Sequence, residues 1–331
     1  MELLWLAVST IAIGVFGCVA WFWGSNWLLD RIFPPRGGKA GDNIRRANQI
    51  RPWLFLGPAI LFLGAYLVYP VLDSFWRSLF NANGTRFVGA DNYVWLVNDA
   101  KFRESMVNNM MWLLVVPALS TVFGLIAAQL TDRLKWGNIG KSLIFMPMAI
   151  SFVGAGVIWK FIYEYRASGE TQIGLLNWIV TQLGGEPQIW LTLPMWNNLL
   201  LMIVLVWIQT GFAMVILSAA LRGIPEETIE AAILDGASSL QVFFKIKVPQ
   251  IMGTIAVVWT TITIVVLKVF DIVFVMTNGQ WGTQVLANLM YDWMFRGTPD
   301  YGRGSAIAIV LMILVTPIMV WNIYNARKEV R

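Results

Sequence analysis

Acidic side chains are concentrated in one short stretch near the middle of the chain, between two strongly apolar segments. Closely spaced carboxylates with no basic residue among them can bind a protein partner that has a basic rim. They suit a lipid surface less well, because anionic headgroups repel them and helices that lie on lipid usually carry Lys and Arg on the polar face. We therefore predict a protein-docking element, with an interfacial helix or a plain long loop as the alternatives. The carboxylates are those of Glu226, Glu227, Glu230 and Asp235.

The same stretch carries signals for two short helices joined by a hinge. Pro225 can occupy the first helical position, and the two glutamates that follow it favour the positive N-terminal end of a helix. Gly236 can adopt the left-handed conformation that ends a helix. Ser238 and Gln241 have the spacing of a capping box for a second helix, and Pro249 marks the next boundary. The second helix is expected to lead into the next apolar segment.

Residues for catalysis and metal binding are scarce. The chain has no histidine, which excludes a Ser-His-Asp triad and imidazole metal sites, and its one cysteine, Cys18, leaves no intrachain disulfide. The Gly-Lys-Ser at residues 140–142 resembles the end of a phosphate-binding loop, but the first glycine of that motif would fall at Lys135 and no buried strand precedes it. No catalytic residue, metal site or nucleotide site is therefore predicted in this chain.

Polar side chains inside the apolar segments are the next candidates, because charges in lipid are costly and usually face an aqueous path or a partner. Lys268 and Asp271 have an i, i+3 spacing, so we expect them to share a helix face and to pair. We interpret them as a structural pair, with a pathway or gate element as the alternative. Gln209 offers an amide to hydroxyl groups, and Phe212 offers an aromatic face to a sugar. Simple helix packing is the alternative for both.

The elements that carry these residues are membrane-spanning helices. The chain is 57% hydrophobic and 13% charged, with a mean hydropathy of +0.64, whereas soluble domains carry about 25% charged residues. Apolar segments close to the roughly 20 residues that cross a bilayer recur along the chain. We therefore predict an all-α polytopic membrane protein with about seven transmembrane helices. The predicted spans are residues 3–28, 53–72, 106–130, 142–163, 197–221, 251–276 and 305–325.

Lys and Arg are about twice as frequent in one set of loops as in the other. The richer set comprises loops 30–52, 131–141 and 222–250 and the C-terminal tail. By the positive-inside rule we expect this side to be cytoplasmic, with the N-terminus outside and the C-terminus inside. Within the first of these loops, the Pro and Gly residues of 33–46 predict a flexible linker. The excess of basic residues lies in the loops on one side of the membrane, so we attribute the net charge of +5 to membrane orientation. Nucleic acid is therefore not predicted as a partner.

The acidic stretch resembles the signature of permease subunits of bacterial ABC importers. That signature is Glu-Ala-Ala, three residues, Gly, nine residues and Ile-x-Leu-Pro, and here only the leucine is replaced, by Val248. In that family the segment is the coupling helix, which docks into a cleft of the cytoplasmic ATPase subunit. The matching residues are Glu230, Ala231, Ala232, Gly236, Ile246 and Pro249.

Other stretches narrow the resemblance to sugar-importer permeases of the maltose and glycerol-phosphate type, and the whole chain is most similar to α-glucoside importer permeases. The resemblance implies a six-helix permease core over residues 53–331, with a coupling loop at 222–250. An extra transmembrane helix and a basic linker precede it in residues 1–52. The chain departs from the family at residues 280–281, which read Gln-Trp instead of Gly-Pro. The similar stretches are residues 51–80, 87–97, 267–279 and 301–313.

The resemblance implies a pore-forming subunit that passes a sugar from an extracytoplasmic binding protein to the cytoplasm, by alternating access in the bacterial inner membrane. The implied partners are a second homologous permease, two ATPase subunits, the sugar-binding protein and membrane lipid. This chain would bind no cofactor, and the ATPase would use ATP and Mg²⁺. The implied substrates are α-glucosides such as maltose, sucrose or trehalose, with glycerol-phosphate, other oligosaccharides or polyols as alternatives.

Substrate contacts are implied in the fifth and sixth spans. Positions that line the sugar site of the maltose permease align with Ile208, Gln209 and Phe212, and Asn278 is a further candidate on the substrate path. Most other equivalents in the sixth span are apolar here, so the resemblance leaves open which of the two permeases holds the sugar. Coupling contacts are expected at Glu226, Glu227, Glu230, Ala231, Ala232, Asp235, Gly236 and Pro249.

An ion-coupled secondary transporter is the rival interpretation. Such a transporter needs inverted repeats, broken helices near the midplane and titratable residues in its spans, for which only Lys268 and Asp271 are candidates. A membrane enzyme would need a carboxylate cluster or metal ligands near one interface. Neither class accounts for the coupling segment.

Overall fold

The structure is a computed structural model that describes residues 2–35, 40–132 and 134–329. Within these ranges the regular elements are helices, together with one isolated antiparallel bridge between Phe80 and Phe87, which confirms the predicted all-α class. Five helices are long and apolar enough to cross a membrane, or up to seven if each of two bent pairs is one span. The α-helices are α1 Glu2–Ile32, α2 Ala40–Leu63, α3 Tyr69–Ser78, α4 Asp91–Asn98, α5 Ala100–Thr131, α6 Gly137–Phe145, α7 Phe152–Ile162, α8 Leu175–Gln182, α9 Trp196–Arg222, α10 Glu226–Leu234, α11 Ser239–Val242, α12 Val248–Gln250, α13 Met252–Leu267, α14 Asp271–Met276, α15 Leu286–Phe295 and α16 Tyr301–Glu329.

The first of two compact units, Met1–Asp73, contains α1 and α2. The Trp21 indole on α1 donates to the Leu54 carbonyl on α2 at 2.9 Å, and the rings of Phe22 and Phe55 stack at 5.1 Å. Almost all other apolar side chains of these helices are exposed. A lipid environment accounts for this exposure, because monomeric soluble proteins rarely leave so large an apolar surface in contact with water.

The predicted linker is shorter than expected. Residues 40–46, predicted to be flexible, form the first turns of α2. No Pro or Gly follows Gly41 in this stretch, and Asp42 in the first turn complements the positive end of the helix. The linker residues 36–39 lie outside the described residues. The same is true of Arg133 and Arg331, which were counted among the Lys and Arg residues that predict the orientation.

The second predicted span lies within a longer helix. A π-helical turn, Gly64–Val68, joins α2 directly to α3, so that one continuous helix covers Ala40–Ser78. Pro52 and Pro58 lie inside α2. Transmembrane helices tolerate such prolines because local adjustments satisfy the freed backbone groups.

The second compact unit, Ser74–Arg331, is centred on the packing of α5 along α9. The two helices approach so closely that a Cβ added to Gly124 would lie 2.4 Å from the Cβ of Ala213. The third and fifth predicted spans are confirmed as parts of these helices, and the seventh as part of α16. The core around them includes Trp112, Leu205, Met214, Leu217, Ile262 and Val266.

The fourth span, predicted as one helix, is broken. α6 is followed by a 3₁₀ turn over Met146–Ala149, and α7 leaves at an angle of 105° to α6. Pro147 lies in the turn, and the Ser151 hydroxyl caps α7 by accepting from the Gly154 amide at 3.1 Å. The break thus has a local cause, because a proline and an N-cap serine lie within the predicted span.

The sixth span, predicted as one helix over residues 251–276, is bent at its first residue and divided once within its length. α12 and α13 meet at Ile251 with a bend of 70°. α13 then ends at Leu267, and α14 begins only at Asp271. Phe270 leaves the helical region there, with φ −140° and ψ −59°. Residues 268–270 contain neither Pro nor Gly, so this second break has no signal in the sequence.

Candidate functional site

The coupling loop, residues 222–250, begins with α10. Pro225 is the N-cap of this helix, with φ −59° and ψ 132°, and not its first helical residue as predicted. The extended ψ places Pro225 just outside the helix, and its carbonyl accepts from the Thr228 amide at 3.2 Å. Glu226 and Glu227 occupy the first turn as predicted, where their charge complements the positive end of the helix.

The hinge predicted at Gly236 is confirmed. Gly236 has φ +82°, the Ala237 amide donates to the Ala232 carbonyl at 3.0 Å, and the Gly236 amide donates to the Ile233 carbonyl at 3.0 Å. This pair of bonds is the Schellman arrangement that ends a helix through a left-handed residue. A Cβ added to Gly236 would meet nothing within 4 Å, so the backbone conformation alone favours glycine here.

The capping box is confirmed as well. The Ser238 amide donates to the Gln241 side chain at 2.8 Å, and the Gln241 amide donates to the Ser238 hydroxyl at 3.4 Å. The boundary predicted at Pro249 lies two residues before the observed one, because the helix continues through Pro249 to Gln250 and bends by 70° at Ile251. A π-helical turn, Phe243–Lys247, precedes this proline, and the wider turn accommodates a residue that has no N–H to donate.

The surface of the coupling loop combines apolar and acidic side chains. Every carboxylate of the predicted docking element is exposed, and so are Ala231 and Pro249. Ala232 alone among the predicted coupling residues is buried. Exposed apolar side chains among polar ones are suited to a contact with a protein partner. They are Ile233 at 58% exposure, Leu234 at 87%, Leu240 at 71% and Phe244 at 64%.

A charged network lies where α5, α6 and α9 meet at the base of the loop. Lys141 donates to the Asp132 carboxylate, and Arg222 Nε lies 3.4 Å from the same carboxylate. The Ser218 hydroxyl, which is buried, donates to Asp132 at 3.0 Å and accepts from Lys141 Nζ at 2.8 Å. We call these four residues the basal network. Because Arg222 is the last residue of α9, the network holds the point where the coupling loop starts.

Sequence reasoning missed the basal network. A cavity of about 250 Å³ separates it from α10, with Glu226, Ile229 and Lys247 of the loop facing Gln129 and Asp132. The i, i+4 spacing of Ser218 and Arg222 was a weak signal, but the partner residues come from two other helices. Only the tertiary packing brings them together.

The substrate-path candidates of α9 lie in its buried part. Ile208 is buried in the core, and Phe212 is half-buried against the same core. Gln209 is only 6% exposed, yet in the described part of the chain its amide makes no hydrogen bond. The amide has two N–H donors and an acceptor oxygen, so Gln209 is available to a ligand hydroxyl. The role of all three residues stays a prediction.

The predicted pair of Lys268 and Asp271 was wrong. Lys268 is an exposed C-cap of α13 and Asp271 is the half-buried first residue of α14, and no ion pair joins them within the described ranges. The chain break at residues 268–270 removes the helical spacing on which the pairing depended. The charge of each side chain is therefore free to face an aqueous path or a partner subunit.

Asn278 is the second residue of the outer turn, residues 277–285, and has φ +55°. Its side-chain oxygen accepts from Arg296. Buried amides of α5 hold the rest of the turn: the Asn108 amide donates to the carbonyls of Gly282 at 2.9 Å and Gln284 at 2.8 Å. Sequence reasoning did not identify this anchor.

Two transport permeases are similar in sequence to most of this chain. The α-glucoside transport system permease protein of Rhizobium meliloti is 69% identical over 99% of this chain and 99% of its own length. The osmoprotective compounds uptake permease protein of Synechocystis sp. is 50% identical over 84% of this chain and 100% of its own length.

The fold has a solved counterpart. A chain in the crystal structure of a bacterial ABC transporter involved in the import of the acidic polysaccharide alginate matches with a TM-score of 0.72 at 19% identity. The match covers 86% of this chain and 99% of that one. The family model of the binding-protein-dependent transport system inner membrane component matches residues 120–329, which contain the coupling loop and the basal network. The chain belongs to this family and is a transport subunit of an ABC importer, in which a separate subunit hydrolyses ATP.

Proposed function

We propose that this chain forms one half of the translocation pore of an ATP-driven importer for α-glucosides. The observation that carries the proposal is the 69% identity, over almost the full length, to a permease described as transporting α-glucosides. Maltose, sucrose and trehalose are the first substrates to test. The relative described for osmoprotective compounds makes such compounds the second candidate class, and glycerol-phosphate, oligosaccharides and polyols belong to the same series of tests.

The proposed assembly contains a second homologous permease, two ATPase subunits and an extracytoplasmic sugar-binding protein. The exposed carboxylates and the uncovered Leu234 and Phe244 of the coupling loop support an ATPase contact. The ATPase uses ATP and Mg²⁺. The complex lies in the bacterial inner membrane, and the distribution of Lys and Arg supports an external N-terminus and a cytoplasmic C-terminus.

The coupling loop carries mechanical work from the ATPase into the membrane. Closure of the ATPase dimer moves α10, and the Schellman turn at Gly236 fixes the angle between α10 and α11. The basal network then passes the displacement to α5, α6 and α9, because Asp132 links all three. The pore alternates between outward-open and inward-open states according to which state the partners stabilise.

The substrate path of this proposal includes Gln209, whose unpartnered amide can bind a sugar hydroxyl, and Phe212, which offers an apolar ring face. Ile208 shapes the wall beside them. Lys268, Asp271 and Asn278 lie further along the same path.

The test is to co-purify the chain with its partners and to measure which sugar, loaded on the binding protein, stimulates ATP hydrolysis. We expect stimulation by α-glucosides above the level of the unloaded binding protein. Stimulation by glycerol-phosphate or polyols alone would contradict the α-glucoside assignment. ATP-independent uptake driven by an ion gradient would contradict the importer itself.

A further inference from the structure

The connection between α7 and α9, residues 163–195, carries a helix with an uncovered apolar side. This helix, α8, is eight residues long, and Leu183 is its C-cap. No charged residue occurs between Glu170 and Glu186, which flank the helix. Four exposed apolar side chains lie on one side of α8 at helical spacing, and we call them the apolar stripe. They are Leu175 at 51% exposure, Trp178 at 50%, Ile179 at 40% and Leu183 at 83%.

The opposite side of α8 is fixed by the chain itself. The Asn177 side chain, which is buried, donates to the carbonyls of Glu164 at 2.9 Å and Gln188 at 3.0 Å. Its oxygen accepts from the Gln188 amide at 2.9 Å. The neighbouring Leu176 packs against the core of the second unit. Because buried hydrogen bonds are costly to break, these contacts hold the apolar stripe facing away from the protein.

Contacts at its N-terminal end place α8 beside the ends of two membrane segments. A Cβ added to Gly174, the N-cap, would lie 2.2 Å from the carbonyl oxygen of Glu164, which follows the last residue of α7 by two positions. The residue between them, Tyr163, donates its hydroxyl to the Leu200 carbonyl at 3.0 Å, and Leu200 lies in the second turn of α9. The start of α8 therefore lies close to the level at which α9 begins.

That level is the edge of the hydrocarbon layer. α9 has 27 residues, so it is about 40 Å long and exceeds the hydrocarbon core of about 30 Å. The excess at each end puts the first turn of α9 in the headgroup region, on the face of the membrane opposite the coupling loop. The exposed apolar side chains of α7 lead toward the same level, and the apolar stripe continues their surface. They are Val157, Ile158 and Phe161.

A lipid surface accounts for the apolar stripe better than water or a transient protein partner does. Monomeric soluble proteins rarely leave contiguous apolar patches in contact with water, and a binding protein that docks and departs would leave the stripe in water between encounters. Tryptophan, here Trp178, is enriched where a bilayer meets water, because its ring is amphipathic. Amphipathic helices lie in this plane with the apolar face among the acyl chains.

We propose that α8 is an interfacial anchor, which lies in the headgroup region opposite the coupling loop and inserts the apolar stripe among the upper parts of the acyl chains. The anchor holds the connection between α7 and α9 at the membrane surface. Because the stripe is uncharged, this contact needs no anionic lipid. It also does not depend on which solute the importer carries, so a complex that imports no α-glucoside would overturn the proposed function and leave the anchor standing.

The test places a nitroxide label on single cysteines of the full complex in phosphatidylcholine nanodiscs. Cys18→Ala removes the native thiol of this chain, and that complex without an added cysteine supplies the background of the other subunits. Trp178→Cys and Leu183→Cys carry the label on the apolar stripe, and Ser168→Cys, at an exposed polar residue of the same connection, is the matched control. Electron paramagnetic resonance then compares the access of oxygen, which concentrates in the acyl chains, with that of a water-soluble nickel chelate. We expect the ratio of oxygen to nickel access to be several-fold higher at both stripe positions than at Ser168.

Three results would overturn the anchor. Nickel access at the stripe equal to that at Ser168 would show that the stripe faces water. Nickel access at the stripe that falls only when the binding protein is added would identify a docking site for that protein. Low access of both reagents at the stripe, with no binding protein present, would show that another subunit covers it.

Discussion

At the scale of single residues, Gly236 sets the direction in which α11 leaves α10. Its φ of +82° and its open surroundings mean that a side chain would be resisted by the backbone and not by neighbours. This residue and the capping box were predictable because each depends only on residues a few positions apart. The pairing of Lys268 with Asp271 was not, because it assumed a helix that the structure interrupts. The Asp132–Lys141 contact depends on tertiary packing.

We predict that Gly236→Val abolishes transport while the chain still inserts into the membrane. A β-branched residue resists a positive φ, at a cost of about 1–2 kcal/mol or more, and the angle between α10 and α11 then changes. Gly236→Asn is the control, since Asn tolerates this conformation, and it should keep most of the activity. ATP-dependent uptake in vesicles measures both variants. Normal uptake by Gly236→Val would refute the hinge.

We predict that Glu230→Lys releases the ATPase subunit from the detergent-purified complex. Glu230 is exposed on α10, and the reversed charge would repel the basic rim of the partner. Glu186→Lys, a charge reversal at an exposed residue outside the coupling loop, is the control and should co-purify normally. Equal recovery of the ATPase with both variants would argue against docking at α10.

At the scale of elements, the spans could be located from hydropathy, but their continuity could not be judged in the same way. The break between α6 and α7 has a proline and an N-cap serine that could have indicated it. The break at residues 268–270 has no such signal in the sequence, and α14, which follows it, packs against α7. The contacts that join elements, such as Asn108 with the outer turn, link residues too distant in sequence to be predicted.

We predict that Asp132→Asn uncouples ATP hydrolysis from transport. The change removes the negative charge that holds Lys141 and Arg222 together, so a displacement of the coupling loop reaches α5 and α6 less completely. The amount of sugar moved per ATP should fall several-fold, while the ATPase still co-purifies. Asp91→Asn, at an exposed acid of α4, should leave this ratio unchanged. An unchanged ratio in Asp132→Asn would remove the basal network from the coupling path.

We predict that Asn108→Leu lowers the stability of the chain by about 1–3 kcal/mol, because two carbonyls of the outer turn lose their buried donor. Asn98→Leu, at an exposed amide of α4, is the matched control and should have a much smaller effect. Thermal unfolding of both variants in detergent, followed by tryptophan fluorescence, measures the difference. Identical unfolding temperatures would mean that the amide does not anchor the turn.

At the scale of the whole molecule, the chain is a transport subunit that works with a separate ATPase subunit, and its proposed roles are to form one half of the pore and to dock that ATPase. Its coupling loop is the best-defined functional element, and a partner must supply the energy that enters there. The composition alone indicated a membrane protein, and the coupling signature indicated an ATP-driven importer, whereas neither of them identified the sugar.

The most direct test is uptake of radiolabelled maltose into proteoliposomes that contain the complete complex, with ATP inside and the binding protein outside. The account predicts accumulation that requires ATP, the binding protein and this chain together, and that unlabelled α-glucosides suppress. Accumulation that persists without ATP, or an absence of uptake for every α-glucoside while another solute is transported, would contradict it.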